Sequence, residues 1–543
     1  MRLKKDSSEQ KLRGAYYTPL QLAKAMVEFF VPKSVRTVLE PSCGDGVFLD
    51  SLVLSGLFES IMRIDAVEIE PDEATKVKEN YDNRDSVHVY CEDFFEYYTR
   101  ALNKQTYDLI VGNPPYIRYQ YLTEHQRELQ SMILRTHGMK ANKLINAWVA
   151  FLVACVQLLS ETGTIAFVIP AEILQVAYAE DLRLFLSEHL DRITLITFEQ
   201  LVFPDIEQEI VVFVGEKGGE GKGIRIIEMN NLEGFKTLDL SANGFQEVQH
   251  VKEKWTKYFV SASEMQLIKR IRQDSRFAKF AEYGLINVGI TTGNNSYFSI
   301  TEEVCDEYEM SSVTLPLIGR SSHAHGIFFT KEDWEANKAA KKRARLISFP
   351  DIPYDEYPTK HKEYILAGEA AGENEGYKCS IRDRWYIVPS VWIPDAFFLR
   401  RNNLYPKFVL NRCGAVSTDT MHRMKFNEGV NPDNILLAYY NSISFAFTEL
   451  CGRSYGGGVL EILPGEMGNI MIPVLDGISV DVRDGLLREV DKIVREEGNI
   501  EDALDLVDQE ALVNLLGIDP AWCRECRAIW EKLQRRRLGR GEQ

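Results

Sequence analysis

The chain has 543 residues, more than one hydrophobic core usually organises, with 45% hydrophobic and 26% charged side chains, which excludes both a single small module and a disordered chain. Its 63 Lys and Arg face 80 Asp and Glu, a formal charge of −17, so a nucleic-acid partner must be met by a local basic surface. Nine scattered cysteines and a charged rather than apolar opening read as a reducing, cytoplasmic setting.

Residues 21–30 space their apolar side chains at the helical period, with Pro32 as a stop. Short apolar, β-branched runs follow at 35–39, 64–67, 87–90, 107–111, 164–169 and 193–198, alternating with helical stretches such as 73–80 and 144–159. That rhythm predicts an α/β domain with a parallel sheet covered on both faces, to which 208–214 adds an antiparallel strand. The longest apolar run, 147–156, is shorter than the roughly 18 residues that cross a bilayer, so it predicts a buried helix and no membrane anchor. A glycine and charge cluster at 215–223 ends the first domain near residue 220, leaving 221–255 as a connector. Residues 256–480 lack the βαβ rhythm and read as an α+β domain, and 481–543 as a helical segment whose basic run Arg535 to Arg537 is a solvated end. Cys523 and Cys526 make one Cys-x-x-Cys without a second pair, so no metal is expected.

The chemistry concentrates at strand ends. Asn113-Pro114-Pro115-Tyr116 follows the strand YDLIV and Gly112, at the carboxyl edge where open α/β sheets bind ligands. Two prolines stiffen this loop and remove two amide donors, so it presents oxygens. An NH₂ group held by the Asn113 side chain and the Pro114 carbonyl, with Tyr116 stacked on its ring, describes an amino-bearing base; the competing reading is a rigid surface turn. Upstream, Glu40-Pro41-Ser42-Cys43-Gly44-Asp45-Gly46 is a turn opening a helix, with acids that repel a pyrophosphate and suit a cationic or amine-bearing ligand. Glu68 ends the second strand, where it reaches ribose hydroxyls, and Asp93 with Phe94 and Phe95 offers an acceptor and an apolar wall for a purine. Each alone reads equally as a solvated or capping acid; together they fit S-adenosylmethionine.

These strings, with Arg13-Gly14-Ala15-Tyr16-Tyr17-Thr18-Pro19, Val67-Glu68-Ile69-Glu70-Pro71 and Glu92-Asp93-Phe94, make the sequence resemble the N6-adenine DNA methyltransferases of restriction-modification systems, in the gamma order of motifs. The resemblance is close over the first 215 residues and loose beyond. It implies a Rossmann-like methyltransferase domain with a mixed, mainly parallel sheet, then a C-terminal α+β DNA-recognition domain and a helical tail. It also implies that Tyr17 and Thr18 close over the methionine part of S-adenosylmethionine, Glu40 binds its amino group within the Pro41, Ser42, Cys43 and Gly44 turn, Glu68 its ribose, and Asp93 with Phe94 its adenine. The catalytic set is Asn113, Pro114, Pro115 and Tyr116, with Phe203 of Leu201-Val202-Phe203-Pro204 on the other face of the flipped base; packing is the equal alternative for Phe203.

Double-stranded DNA is the expected partner. Between Cys379 and Phe426 eight Lys or Arg outnumber three Asp or Glu, interleaved with aromatics including Trp385, Tyr386, Phe397 and Phe398, which suits phosphate and base contacts. Arg382, Arg384, Arg400, Arg401 and Arg412 are the candidates there, with Tyr455 and Gly456 of a glycine run similar to the family's recognition strings. The run at 338–345 (KAAKKRAR) divides equally between a solvated helix face and a DNA patch. Cytosine N4, RNA adenine and protein glutamine methyltransferases share an exocyclic or amide NH₂ substrate and remain alternatives, as does a degenerate methyltransferase serving only to bind DNA. A nuclease domain is not expected in this chain, so a cognate endonuclease would be separate, and a monomer is the default.

Overall fold

The computed structural model describes residues 17–32, 34–140, 145–174, 179–198, 202, 209–219, 221–240, 244–246, 255, 259–455 and 458–539. The chain divides into two compact units, Met1–Phe259 and Val260–Gln543.

The first unit is built on an eight-stranded sheet of β1 (Thr37–Glu40), β2 (Arg63–Glu68), β3 (Val87–Cys91), β4 (Tyr107–Gly112), β5 (Leu159–Pro170), β6 (Arg192–Phe198), β7 (Ile210–Glu216) and β8 (Gly223–Met229). Their order is β3-β2-β1-β4-β5-β7-β6-β8, parallel except for β7, which runs against both β5 and β6. The mixed, mainly parallel sheet expected from the sequence is therefore present. β8 corrects the sequence reading: residues assigned to a connector instead pair along β6 from Arg192↔Gly223 to Phe198↔Met229.

Alternation along each strand serves two cores. Val38, Ile64, Val111 and Val168 pack with Leu22, Met26 and Val27 of α1 (Leu20–Phe30) and Phe48 and Leu52 of α2 (Val47–Leu54). Leu39, Ile110 and Phe167 point to the opposite face and are equally buried. α3 (Pro71–Asn80), α4 (Phe94–Ala101) and α5 (Glu124–Thr136) precede α6 (Ala147–Gln157), whose residues Ala147 to Val156 are all buried. A helix apolar all round belongs inside a protein core. Among the described residues no helix is long and apolar enough to cross a membrane.

The second unit is α+β. Its largest sheet orders Gly284–Val288, Met421–Phe426, Ala396–Leu399, Phe408–Asn411 and Phe328–Phe329. One core joins Phe398 and Phe408 of that sheet to Leu487 and Val490 of Val480–Arg495 and Trp530 of Pro520–Leu538. The helical segment from 481 is thus part of this unit's core and not a separate appendage. Arg537, expected in solvent, is 1% exposed and paired with buried Glu449. Gly289 has a packing reason: a Cβ there would lie 1.9 Å from the Thr418 carbonyl oxygen.

His323 makes the second unit sensitive to acid. It is 5% exposed, its Nδ1 accepts from the Gly319 amide at 3.3 Å, and burial with nearby Lys342, Arg320 and His325 pushes its pKa from 6.5 down to about 4. Between these values the unfolded chain binds more protons, so stability is full above pH 6.5 and is lost as pH falls toward 4. The full shift corresponds to about 3 kcal/mol, and solvent screening of a partly desolvated imidazole reduces the loss to about 1–2 kcal/mol. Denaturant titrations at pH 7 and 4.5 should show a smaller pH difference for His323→Gln than for the wild type; equal differences refute the assignment.

Candidate active site

Four adjacent strand ends build the site. β1 ends at Glu40 and turns sharply: the Gly46 amide donates to the Cys43 carbonyl at 2.8 Å, and Gly44 and Gly46 take φ of +51° and +85°, where side chains are strained. The Cys43 amide donates to the Val67 carbonyl at 2.9 Å. Glu68, ending β2, braces this turn, its carboxylate accepting from the Gly44 and Glu70 amides at 2.8 and 2.9 Å. β3 leads to Asp93, the N-cap of α4, whose Oδ1 accepts from the Phe95 amide at 2.8 Å. β4 ends at Gly112, where a Cβ would meet Pro41 at 3.4 Å, and the chain enters the Asn113–Tyr116 loop. Ser42 Oγ donates to the Asn113 carbonyl at 3.2 Å, tying the loop to the first turn. Tyr116 Oη donates to the Val168 carbonyl at 3.1 Å on β5.

Tyr17, Pro41, Ser42, Gly44, Glu68, Asp93, Phe94, Asn113 and Pro115 line one cleft of about 480 Å³. Thr18, Glu40 and Cys43 are buried near it without lining its wall, and Pro114 and Tyr116 also fall outside the wall. Phe203 and Gly456 lie outside the described residues, as does the side chain of Tyr455. Among the described residues the cleft wall carries Glu68, Glu70, Glu92 and Asp93 and no Lys or Arg, so it favours a cation. Glu40 is 1% exposed and its Oε2 has no hydrogen-bond partner among the described residues. Burial, then Asp45, Glu68 and Asp50, hold its carboxyl well above the usual carboxylate range. Burial also pushes the Cys43 thiol up, which removes it as a nucleophile.

Sequence reasoning missed Gln126 and Phe151. Gln126 closes the Thr123 capping box of α5 and its Nε2 donates to Asp93 Oδ2 at 2.7 Å. Phe151 of α6 stacks on Phe94 with ring centroids 4.7 Å apart. The capping box was legible as Thr-x-x-Gln; its reach to Asp93 was not.

The arginines singled out in the second unit have internal partners. Arg400 and Arg401 share Glu461 Oε1 at 3.0 and 3.5 Å, Arg384 pairs with Asp351 at 2.9 Å, and Arg412 pairs with Asp433. Arg382 donates to the Thr291 and Trp385 carbonyls. Trp385, Tyr386, Phe397 and Phe398 are buried, so they are core rather than a stacking surface.

Two family models match in succession: the Eco57I restriction-modification methylase over residues 51–203 and the C-terminal domain of Type II methyltransferase M.Eco57I over residues 252–512. The Type II methyltransferase M.AccI of Acinetobacter calcoaceticus is 23% identical over 521 residues, 91% of this chain and 92% of its own. The chain belongs to the restriction-modification DNA methyltransferases. The Type II methyltransferase M.XamI of Xanthomonas campestris pv. amaranthicola is 23% identical to this methyltransferase over 484 residues, 86% of each chain. Among solved structures, the Type IIL restriction-modification enzyme MmeI in complex with DNA shares the fold at a TM-score of 0.54 and 12% identity, covering 98% of this chain and 80% of that one.

Proposed function

We propose that this methyltransferase uses S-adenosylmethionine to methylate the N6 amino group of an adenine extruded from duplex DNA. The observation that carries the reading is the Ser42 to Asn113 bond, which fixes the Asn-Pro-Pro-Tyr loop beside an acidic cleft. The chain's residues fit the cofactor: Glu40 has an unpartnered buried oxygen for an ammonium group, Glu68 keeps lone pairs for ribose hydroxyls, and Phe94 gives a flat apolar wall for adenine. When bound, S-adenosylmethionine supplies a methyl already activated on sulfonium.

The protein's work is then orientation. An N6 amine is paired and stacked in the duplex, so the base must leave it. Asn113 Oδ1 and the Pro114 carbonyl accept the two amino hydrogens and aim the nitrogen lone pair, and Tyr116 stacks on one face of the ring. The family resemblance gives Phe203 the other face.

Cofactor binding should release a proton. Burial holds the Glu40 carboxyl well above the usual carboxylate range and a cationic ligand lowers it by stabilising the anion, so between the two ionisations binding releases protons and affinity rises with pH. Calorimetry of S-adenosylmethionine in buffers of different ionisation enthalpy should report that release for the wild type and none for Glu40→Gln; release persisting in the variant assigns the proton elsewhere.

The reaction itself is tested by expressing the protein in a host lacking adenine methylation and mapping modified bases by single-molecule sequencing. N6-methyladenine at one recurring motif supports the reading. N4-methylcytosine, or an unmethylated genome from a protein that binds the cofactor, overturns it.

A further inference from the structure

We propose that the loop 319–326, through its exposed residues Arg320, Ser321 and Ser322, forms with Lys342 and Arg343 the surface by which the second unit grips the phosphate backbone of duplex DNA. This rests on the duplex-DNA reading above and locates its phosphate contacts away from the carboxylate-paired Arg384, Arg400, Arg401 and Arg412.

A cation serves a phosphate only if internal carboxylates have not already neutralised it. The basic run at 338–345 divides on this criterion. Lys338 pairs with Glu302 and Glu335, Lys341 with Glu303, and Arg345 with Glu302. Among the described residues Lys342 and Arg343 have only neutral acceptors, the Asn337 Oδ1 at 2.8 Å and the Ser296 carbonyl at 2.9 Å, so no carboxylate there offsets their charge. Arg320 is exposed and makes no ion pair among the described residues.

The fold brings these three together. Thr314–Ile318 pairs antiparallel with Arg345–Ile347, in the register Pro316↔Arg345, so residue 320 leaves one strand where 342 and 343 enter the other. A Cβ on Gly319 would lie 3.2 Å from the Arg343 carbonyl oxygen. Asn337 links the two segments, its Nδ2 donating to the His323 carbonyl at 3.0 Å while its Oδ1 accepts from Lys342. Lys407 Nζ pins the far side of the loop through the Ala324 and His325 carbonyls at 3.1 and 3.3 Å.

The acid that faces the loop at Gly326, Asp491, is paired with Arg495 at 2.6 Å. Neither 317–326 nor 336–345 contains an Asp or Glu. Asp419, near Gly319 through Thr420, is engaged by Asn295 Nδ2 at 3.0 Å. Burial is the main cause of the depressed His323 pKa, and Lys342, Arg320 and His325 lower it further, which places all three groups around this loop. Exposed Ser321 and Ser322 add hydroxyl donors between the cations. An arginine fork, a lysine and hydroxyl groups on an irregular loop suit phosphate oxygens, which position a duplex without reading its sequence.

The test is the salt dependence of binding to a fluorescein-labelled random-sequence duplex, read by anisotropy on the full chain. Each phosphate contact contributes about 0.9 to the slope of log K against log salt, so Arg320→Gln/Lys342→Gln/Arg343→Gln should flatten the slope by about 2 to 3. Lys104→Gln/Lys222→Gln/Lys236→Gln, an equal charge loss on exposed lysines of the first unit, should leave it unchanged. Arg320→Lys/Lys342→Arg/Arg343→Lys should restore the slope, which separates charge from folding. A slope retained in the glutamine triple variant overturns the surface, whereas a wild type with no duplex binding overturns the DNA reading itself.

Discussion

Asn113→Ala should lower methyl transfer by about 10³-fold or more, the scale set by removing one oriented hydrogen-bonding group that acts on the reacting centre. Cofactor affinity should barely change, because the loop is anchored by other atoms. Ser42 bonds the Asn113 main-chain carbonyl, which alanine keeps, and Tyr116 holds the loop to Val168. Glu68 at the end of β2 and Asp93 at the N-cap of α4 line the cleft, and Glu40 at the end of β1 is buried near it, all independently of the Asn113 side chain. Transfer measured with radiolabelled methyl, alongside calorimetry of S-adenosylhomocysteine, separates the two effects. A variant with full activity removes Asn113 from the reaction; one that loses cofactor binding in parallel makes the residue structural.

Much of this site could be read in the sequence because its residues sit at the ends of consecutive strands. Each motif follows an apolar run, so the end of the run locates the side chain, and a parallel sheet brings four such ends side by side. β7 was legible as antiparallel to the rest, whereas β8 was not. It begins at Gly223 inside a glycine and charge cluster that reads as a turn, and pairing on β6 alone makes GIRIIEM a strand. Partners distant in sequence escaped for the same reason. Gln126 meets Asp93 across 33 residues, and Arg400 meets Glu461 across 61. Positive composition between 379 and 426 therefore suggested a DNA surface, while the acids that neutralise several of its arginines lay outside the window. Conversely, Lys342 and Arg343 looked no different from Lys341 until their neighbours were known.

The second large effect concerns Arg537. Its guanidinium lies 1% exposed, Nη2 donating to Glu449 Oε1 at 2.8 Å and Nη1 to the carbonyls of Asn403 and Gly458. Desolvation raises the Glu449 pKa and the Arg537 guanidinium beside it opposes that rise. Breaking one partner of a buried pair strands the other charge, which costs about 3–5 kcal/mol. Glu449→Ala should therefore loosen the helices Ser442–Cys451 and Pro520–Leu538, which pack together in this core, and release Gly458 beside the glycine run at 455–458. Glu449→Leu/Arg537→Met should recover much of the loss, because an apolar pair of similar volume carries no desolvation penalty; the two freed carbonyls keep recovery partial. Hydrogen exchange of those helices under mild denaturant measures both. Protection in Glu449→Ala within about 1 kcal/mol of the wild type, against the 3–5 expected of a buried pair, would mean that the ion pair contributes little and that apolar packing around Trp530 holds the helix alone.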